Sequence, residues 1–205
     1  MLDWDSCVLW LDSRYFSESK WWDRSKYIND GTVYGAVWKE DSFYFGGNDY
    51  IRIKNNSIFN FNNKIAIEVI FNPSLNTDFS WAISKDFGNS NLCFLLGLTE
   101  SGKLRFITRN LGGNVYSLNP VTYNKETHVL TYDDGNNIKI YVNGKFINSN
   151  SISGNWINNN ADILIGARIS DDPTQFYLGK IKLIRIYKDI PSDDEIKILA
   201  KMEGF

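Results

Sequence analysis

Residues Glu126 to Asn148 read ETHVLTYDDGNNIKIYVNGKFIN, and this stretch decides the class of the fold. His128 to Tyr132 is a short run of β-branched and aromatic residues, the types that suit a pleated, half-buried surface. Asp133-Asp134-Gly135-Asn136 follows as a turn cluster, because Gly and Asn tolerate positive φ. Ile138 to Val142 then alternates. Ile138, Ile140 and Val142 fall on one face and Lys139 and Tyr141 on the other, as the two-residue period of a strand requires. Asn143-Gly144 is a strong short-range hairpin signal, since a type I′ turn needs φ > 0 at both central residues. Lys145 to Ile147 is the returning strand. The stretch predicts a three-stranded antiparallel meander.

Outward from the meander the same grammar repeats. Strands are expected at Ser6 to Leu11, Gly31 to Trp38, Ser42 to Phe45, Tyr50 to Ile53 and Lys64 to Phe71. Further ones are expected at Phe79 to Ser84, Leu92 to Leu98, Lys103 to Thr108, Ile163 to Ile165 and Phe176 to Tyr187. Gly46-Gly47-Asn48-Asp49, Thr99-Glu100-Ser101-Gly102 and Gly112-Gly113-Asn114 read as turns. Asp12 to Asp30 reads as a long polar and aromatic loop holding the pair Trp21-Trp22. A second polar loop, Asn148 to Asp162, holds Trp156, and Ser170 to Thr174 is acidic. Only the end changes character. Ser192 with Glu195 three residues on is a capping box, and Ile196, Leu199 and Ala200 form a helical stripe. The expectation is an all-β, two-sheet antiparallel jelly-roll sandwich with a short C-terminal helix, one domain over residues 1–205.

The composition narrows the function. Of 205 residues 43% are hydrophobic and 15% aromatic, which suits a packed β domain, or a surface that meets flat ligands such as sugar rings. A net charge of −2 shows no electrostatic footprint for nucleic acid. No apolar run approaches the ~18 residues of a membrane span, so no membrane insertion is expected. The first residues, MLDWDSCVLW, lack a basic segment and read as no secretory signal, which leaves action inside the cell, or release by lysis, by a dedicated route or as part of a virion. Cys7 and Cys93 read as two buried free thiols, with a single bridge between neighbouring strands as the alternative.

A resemblance emerges from the order of several pieces. Trp22-Asp23-Arg24-Ser25 with Asn29-Asp30-Gly31-Thr32 comes first, then the hairpin Phe43-Tyr44-Phe45-Gly46-Gly47-Asn48-Asp49-Tyr50-Ile51. Ile67-Glu68-Val69, Thr127-His128-Val129, Tyr132-Asp133-Asp134-Gly135 and Tyr141-Val142-Asn143-Gly144-Lys145 follow. Ile165-Gly166-Ala167, Gly179-Lys180-Ile181 and Arg185-Ile186-Tyr187 close the series. In that order the chain resembles the laminin-G-like jelly rolls of the concanavalin A-like lectin/glucanase superfamily. The resemblance implies two curved antiparallel sheets and the binding of carbohydrates or proteins. It also implies Ca²⁺ in an edge loop for some members and β-glucan hydrolysis for a few. Here the pattern departs from many members, because Lys182 and Leu183 stand where they carry an Asp-Glu pair.

Hydrolysis finds no apparatus. The resemblance implies that retaining β-glucanases of this kind carry two Glu and an Asp on one strand, as E-x-D-x-x-E or close to it, one carboxylate as nucleophile and another as acid, whereas Glu68 is the only acid in its strand. The single histidine, His128, is expected to be structural. Trp21, Trp22, Trp156 and Tyr177 lie in or beside irregular segments and are the candidate ligand contacts, each with the alternative of capping a core edge. Asp23, Asp49, Asp171 and Asp172 are the candidate Ca²⁺ ligands. The expected role is a non-catalytic carbohydrate-recognition or adhesion module, on a virion or other extracellular surface, whose partner is a glycan or a surface protein. A structural assembly protein of a virion or particle, packing as a homo-oligomer or into a capsid lattice with no sugar ligand, is the alternative.

Overall fold

In chain order the strands are β1 (Cys7–Ser17), β2 (Lys20–Asp23), β3 (Gly31–Tyr34), β4 (Val37–Lys39), β5 (Ser42–Gly46) and β6 (Tyr50–Ile53). They continue with β7 (Ile65–Pro73), β8 (Ser80–Asp86), β9 (Leu92–Leu98), β10 (Lys103–Thr108) and β11 (Gly113–Pro120). The set ends with β12 (Thr127–Asp133), β13 (Asn137–Val142), β14 (Lys145–Ser151), β15 (Ile163–Ile165) and β16 (Leu178–Tyr187), before the helix α1 (Asp193–Met202). The structure is a computed structural model that describes residues 4–75, 78–88 and 91–205.

The ladder runs β11-β10-β9-β8-β15-β6-β3-β2-β1-β16-β7-β12-β13-β14, with β5 paired to β16 and β4 to β5. Every strand pairing is antiparallel. β1 carries the ladder from one layer to the other. Its first half pairs with β16, its last residues pair with β2, and the register shifts between Leu11 and Phe16. Such an irregularity sharpens the twist of a strand and lets it turn a corner. The ends of the ladder then meet: the amides of Asn148 and Asn150 in β14 donate to the Tyr116 and Asn114 carbonyls of β11 at 2.9 and 2.6 Å. The main core fills the space between, with Ile67, Val69, Val129, Ile138 and Ile140 from one layer and Ile83, Phe94, Leu96 and Phe106 from the other.

The meander forms as the sequence predicts. β12 pairs with β13 and β13 with β14, and Asn143 and Gly144 take φ of 49° and 72°. Ile138 and Ile140 enter the core, while Tyr141 turns to the outer face and is buried there too. The cover on that face is α1, whose Ile196 and Leu199 pack with Cys7, Ala66, Leu130, Tyr132, Tyr141 and Tyr187. The capping box is present, with Ser192 and Glu195 exchanging hydrogen bonds, and the Tyr141 hydroxyl donates to Asp193 at 2.7 Å. A Cβ on Gly144 would stand 3.1 Å from that of Ala200, so the turn also seats the helix. Among the described residues no helix is long and apolar enough to cross a membrane.

Three expectations need correction. Asp12 to Asp30 is not one loop, since it holds the end of β1 and all of β2. β11 and the extension of β14 to Ser151 replace stretches read as turn and loop. These segments carry polar outward residues, which mask the alternation. The bridge alternative also falls: Cys7 lies under α1 and Cys93 in the main core, both as free thiols. Burial pushes each thiol up to about 12.

Candidate ligand-binding site

The strand period separates the tryptophan pair. In β2 burial alternates, so Trp21 enters the core fully buried, 4.8 Å from the Phe43 ring, while Trp22 stays 45% exposed on the opposite face. The two indoles therefore form no joint platform, and Trp21 is a core residue rather than a ligand contact. Tyr177 is corrected in the same way. It is fully buried edge-on against Phe45 and Phe71, and its hydroxyl donates to the Lys180 carbonyl at 3.2 Å. Trp156 is half-buried and plugs a core edge. Its ring meets Phe61 edge-on under the Arg109 guanidinium, and its N–H donates to Asn158.

The four candidate metal acids do not converge. Asp23 is a loop clamp: its two oxygens accept from the N–H groups of Trp10, Ser25 and Asn29 and from the Ser25 hydroxyl, all at 2.7–2.8 Å. Asp30 returns the favour by accepting from the Asp23 N–H at 3.0 Å. The Asp-x-Ser and Asn-Asp-Gly-Thr pieces are thus a device for closing the 23–30 loop. Asp49 closes the next turn, accepting from the Gly46 N–H at 2.6 Å. Its carboxylate packs where Gly35 has no Cβ, which would stand 2.2 Å away. Asp171 and Asp172 are exposed on another loop. Among the described residues no group of three His, Cys, Asp or Glu is placed to hold a metal ion. A Ca²⁺ cage needs six to eight oxygens, and these carboxylates do not fit one.

Glu68 is also committed elsewhere. It is fully buried on the outer face of β7, 2.9 Å from His128 Nε2, 3.1–3.2 Å from Arg185 Nη1 and 2.8 Å from the Tyr187 hydroxyl. Burial pushes the carboxyl up, but the His128 hydrogen bond, the Arg185 charge and the Tyr187 hydroxyl outweigh it and hold the group below its ordinary value. Arg185 in turn reaches Glu203 at 2.6 Å, just past α1, and lies over the Trp10 ring. This sealed network pins the helix. His128 is structural, and the network's other carboxylate, Glu203, bonds Arg185 Nη2.

Groups suited to a ligand gather where turns leave the strands. A cleft of about 540 Å³ lies between the Gly46-Gly47 turn, the entry to β8 and the segment leading into β16. Phe79, Phe176 and Leu178 are its apolar walls, all half-buried; Asp78, Glu100 and Gln175 are its polar ones. Phe79 lies parallel to Trp81, with ring centroids 6.2 Å apart. The amide of Gln175 is oriented, because its oxygen accepts from the Trp81 N–H at 2.9 Å and from Arg168 at 3.2 Å. The NH₂ end is the one left to donate. Glu100 sits at the β9–β10 turn and makes no ion pair among the described residues. A second groove of about 260 Å³, floored by Leu104, Val121, Val142 and Ile147, offers less. Its Ser117, Thr127 and Asn143 already bond to neighbouring backbone. The sequence reading missed Phe79, Glu100, Gln175 and Phe176. The signal within reach was position: each lies in or beside a turn.

A laminin-G-like family model, described as the concanavalin A-like lectin/glucanases superfamily, matches residues 45–197. The chain belongs to that superfamily. The matched span contains every residue lining the cleft. No curated protein matches the sequence. Among solved structures, the binding domain of Paraclostridial Mosquitocidal Protein 1 superposes with a TM-score of 0.76 at 18% identity, covering 98% of this chain and 53% of that one. The botulinum neurotoxin serotype D ligand binding domain in complex with N-acetylneuraminic acid gives 0.77 at 17%, over 98% and 52%. The botulinum neurotoxin DC binding domain in complex with rat synaptotagmin II gives 0.76 at 19%, again over 98% and 52%. These likenesses show the fold, and the chain spans about half the length of each neighbour.

Proposed function

We propose that the protein is a non-catalytic carbohydrate-recognition module, acting on an outer surface, and that the Phe79–Phe176 cleft holds the sugar. Sugar sites combine ring faces for C–H packing with a few fixed polar groups. The observation that carries the reading is the Gln175 amide, locked by Trp81 beside two phenyl rings and the Glu100 carboxylate. Rings supply contact area, the amide donates, and the carboxylate accepts from sugar hydroxyls. A hydrolytic role lacks support in the strand acids, since Glu68 is sealed under α1. The neighbours bound to N-acetylneuraminic acid and to synaptotagmin make surface recognition a natural use of such a fold. The test is a glycan array with the purified protein, in Ca²⁺ and again in chelator. Hits that persist in chelator and vanish in Phe176→Ala, with the melting temperature held within a few degrees, are the expected result. An array without hits, or hits indifferent to Phe176→Ala, would refute the assignment.

A further inference from the structure

The cleft has a charge as well as a shape. Among the described residues its charged lining groups are Asp78 and Glu100, with no lysine or arginine in the lining. Two arginines touch residues of its lining, and each has other partners. Arg168 bonds Asp86 at 2.5 Å as well as the Gln175 oxygen. Arg105 lies over the Phe79 and Tyr116 rings and donates to Asn114 at 3.2 Å. An entering ligand therefore meets the Glu100 carboxylate, a donor NH₂ and apolar rings. A neutral sugar satisfies this set through its hydroxyls, which donate to carboxylate oxygens. An amine-bearing sugar adds an opposite charge. A sialic acid carboxylate or a sulfate ester brings a like charge into a partly desolvated space, and such repulsion discriminates against a ligand as a new contact discriminates in favour of one.

Resting on the carbohydrate reading above, we infer that this cleft selects neutral and amine-bearing sugars and rejects sialylated and sulfated ones, with Glu100 as the specificity-determining residue. The preference runs opposite to the acidic sugar in the serotype D neighbour, so the fold alone does not supply it.

The experiment uses matched glycan pairs on one array, followed by titration calorimetry of the pairs that bind. One pair is N-acetyllactosamine and its α2,3-sialylated form; another is a chitin tetramer and its de-N-acetylated counterpart. For the wild type, the sialylated member of a bound pair should be weaker by about tenfold, the factor equivalent to roughly 1.4 kcal/mol. The free amine should bind at least as well as the N-acetyl form. Glu100→Gln should narrow the sialyl gap and Glu100→Lys should close or reverse it, while the neutral sugar loses less than either change in ratio. Equal or tighter sialylated binding by the wild type, or a ratio unmoved by both substitutions, overturns the inference. If binding depends on Phe176 but the ratio ignores Glu100, the charge inference fails and the sugar site stands. If no glycan binds at all, both fail together.

Discussion

Arg185→Met isolates the buried ion pair beneath the terminal helix. Arg185 is 2% exposed and Glu68 fully buried, so removing the guanidinium leaves a carboxylate in the interior with its main countercharge gone. Breaking such a pair costs roughly 3–5 kcal/mol. His128 and Tyr187 still donate to Glu68, which places the cost near the lower end, at about 3 kcal/mol. For a chain of this size that is a fall in melting temperature of roughly 6–12 °C. The loss of the Arg185–Glu203 bond also frees the segment after α1. Urea and thermal unfolding of four proteins supply the assay: wild type, Arg185→Met, Glu68→Met and the double variant. The double variant should be more stable than Arg185→Met alone, because it buries no uncompensated charge. The pH dependence has a fixed sign. The folded-state value of Glu68 is depressed, so its contribution is fully present above the unfolded carboxyl value of about 4.3 and is lost as pH falls through the lower folded value. A melting temperature for Arg185→Met within two or so degrees of wild type, or a double variant whose cost is the sum of the singles, would refute the reasoning.

Two more substitutions test the fold directly. Trp21→Ala should lose roughly 3–5 kcal/mol in urea unfolding, as a fully buried indole does, whereas Trp22→Ala on the opposite face should stay within about 0.5 kcal/mol. Equal effects would contradict the alternation of β2. Ser192→Ala removes the side-chain half of the capping box and should lower stability by about 1 kcal/mol in thermal unfolding, with no change in glycan binding; a loss of binding would tie α1 to the ligand.

What the sequence yields depends on the range of the interaction. The Asn143-Gly144 turn and the Ser192–Glu195 cap are set by residues within a few positions of each other, and both appear where the sequence places them. The family resemblance carried the jelly roll because its pieces recur in a fixed order. The side of a strand is harder. Trp21 and Trp22 are adjacent and look alike in the sequence, and only the pairing of β2 with β1 and β3 decides which one enters the core. Glu68 reads as a lone acid because its partners, His128 and Arg185, are 60 and 117 residues away. The cleft has the same property. Phe79, Glu100 and Gln175 belong to three separate turns, and the β15-β8-β9-β10 ladder gathers them. No local pattern announces such a site, so residues chosen for being aromatic and irregular missed it.

Burial argues for where recognition must sit. Strands facing solvent on one side offer that face to ligands, but the central strands here have none to offer. Every residue of β8, β9 and β12 is buried. Ile67, Val69 and Val129 point into the main core, and on the outer side Ala66, Glu68 and Leu130 lie in the cover and ion network beneath α1. In the other layer Trp81, Leu92, Leu95 and Ile107 close a third cluster. Exposed strand side chains such as Trp22 and Tyr34 lie on β2 and β3, whereas β8, β9 and β12 leave a ligand the turns at their ends. That is where the Gly46-Gly47, Glu100 and Gln175 segments meet. Glu100 is exposed at its turn, so the charge of the site can change while the sandwich stays fixed. A reading that assigns the ligand to turns and the stability to the two buried faces thus predicts that substitutions at Glu100 and Phe176 change binding and that substitutions at Glu68 and Trp21 change folding.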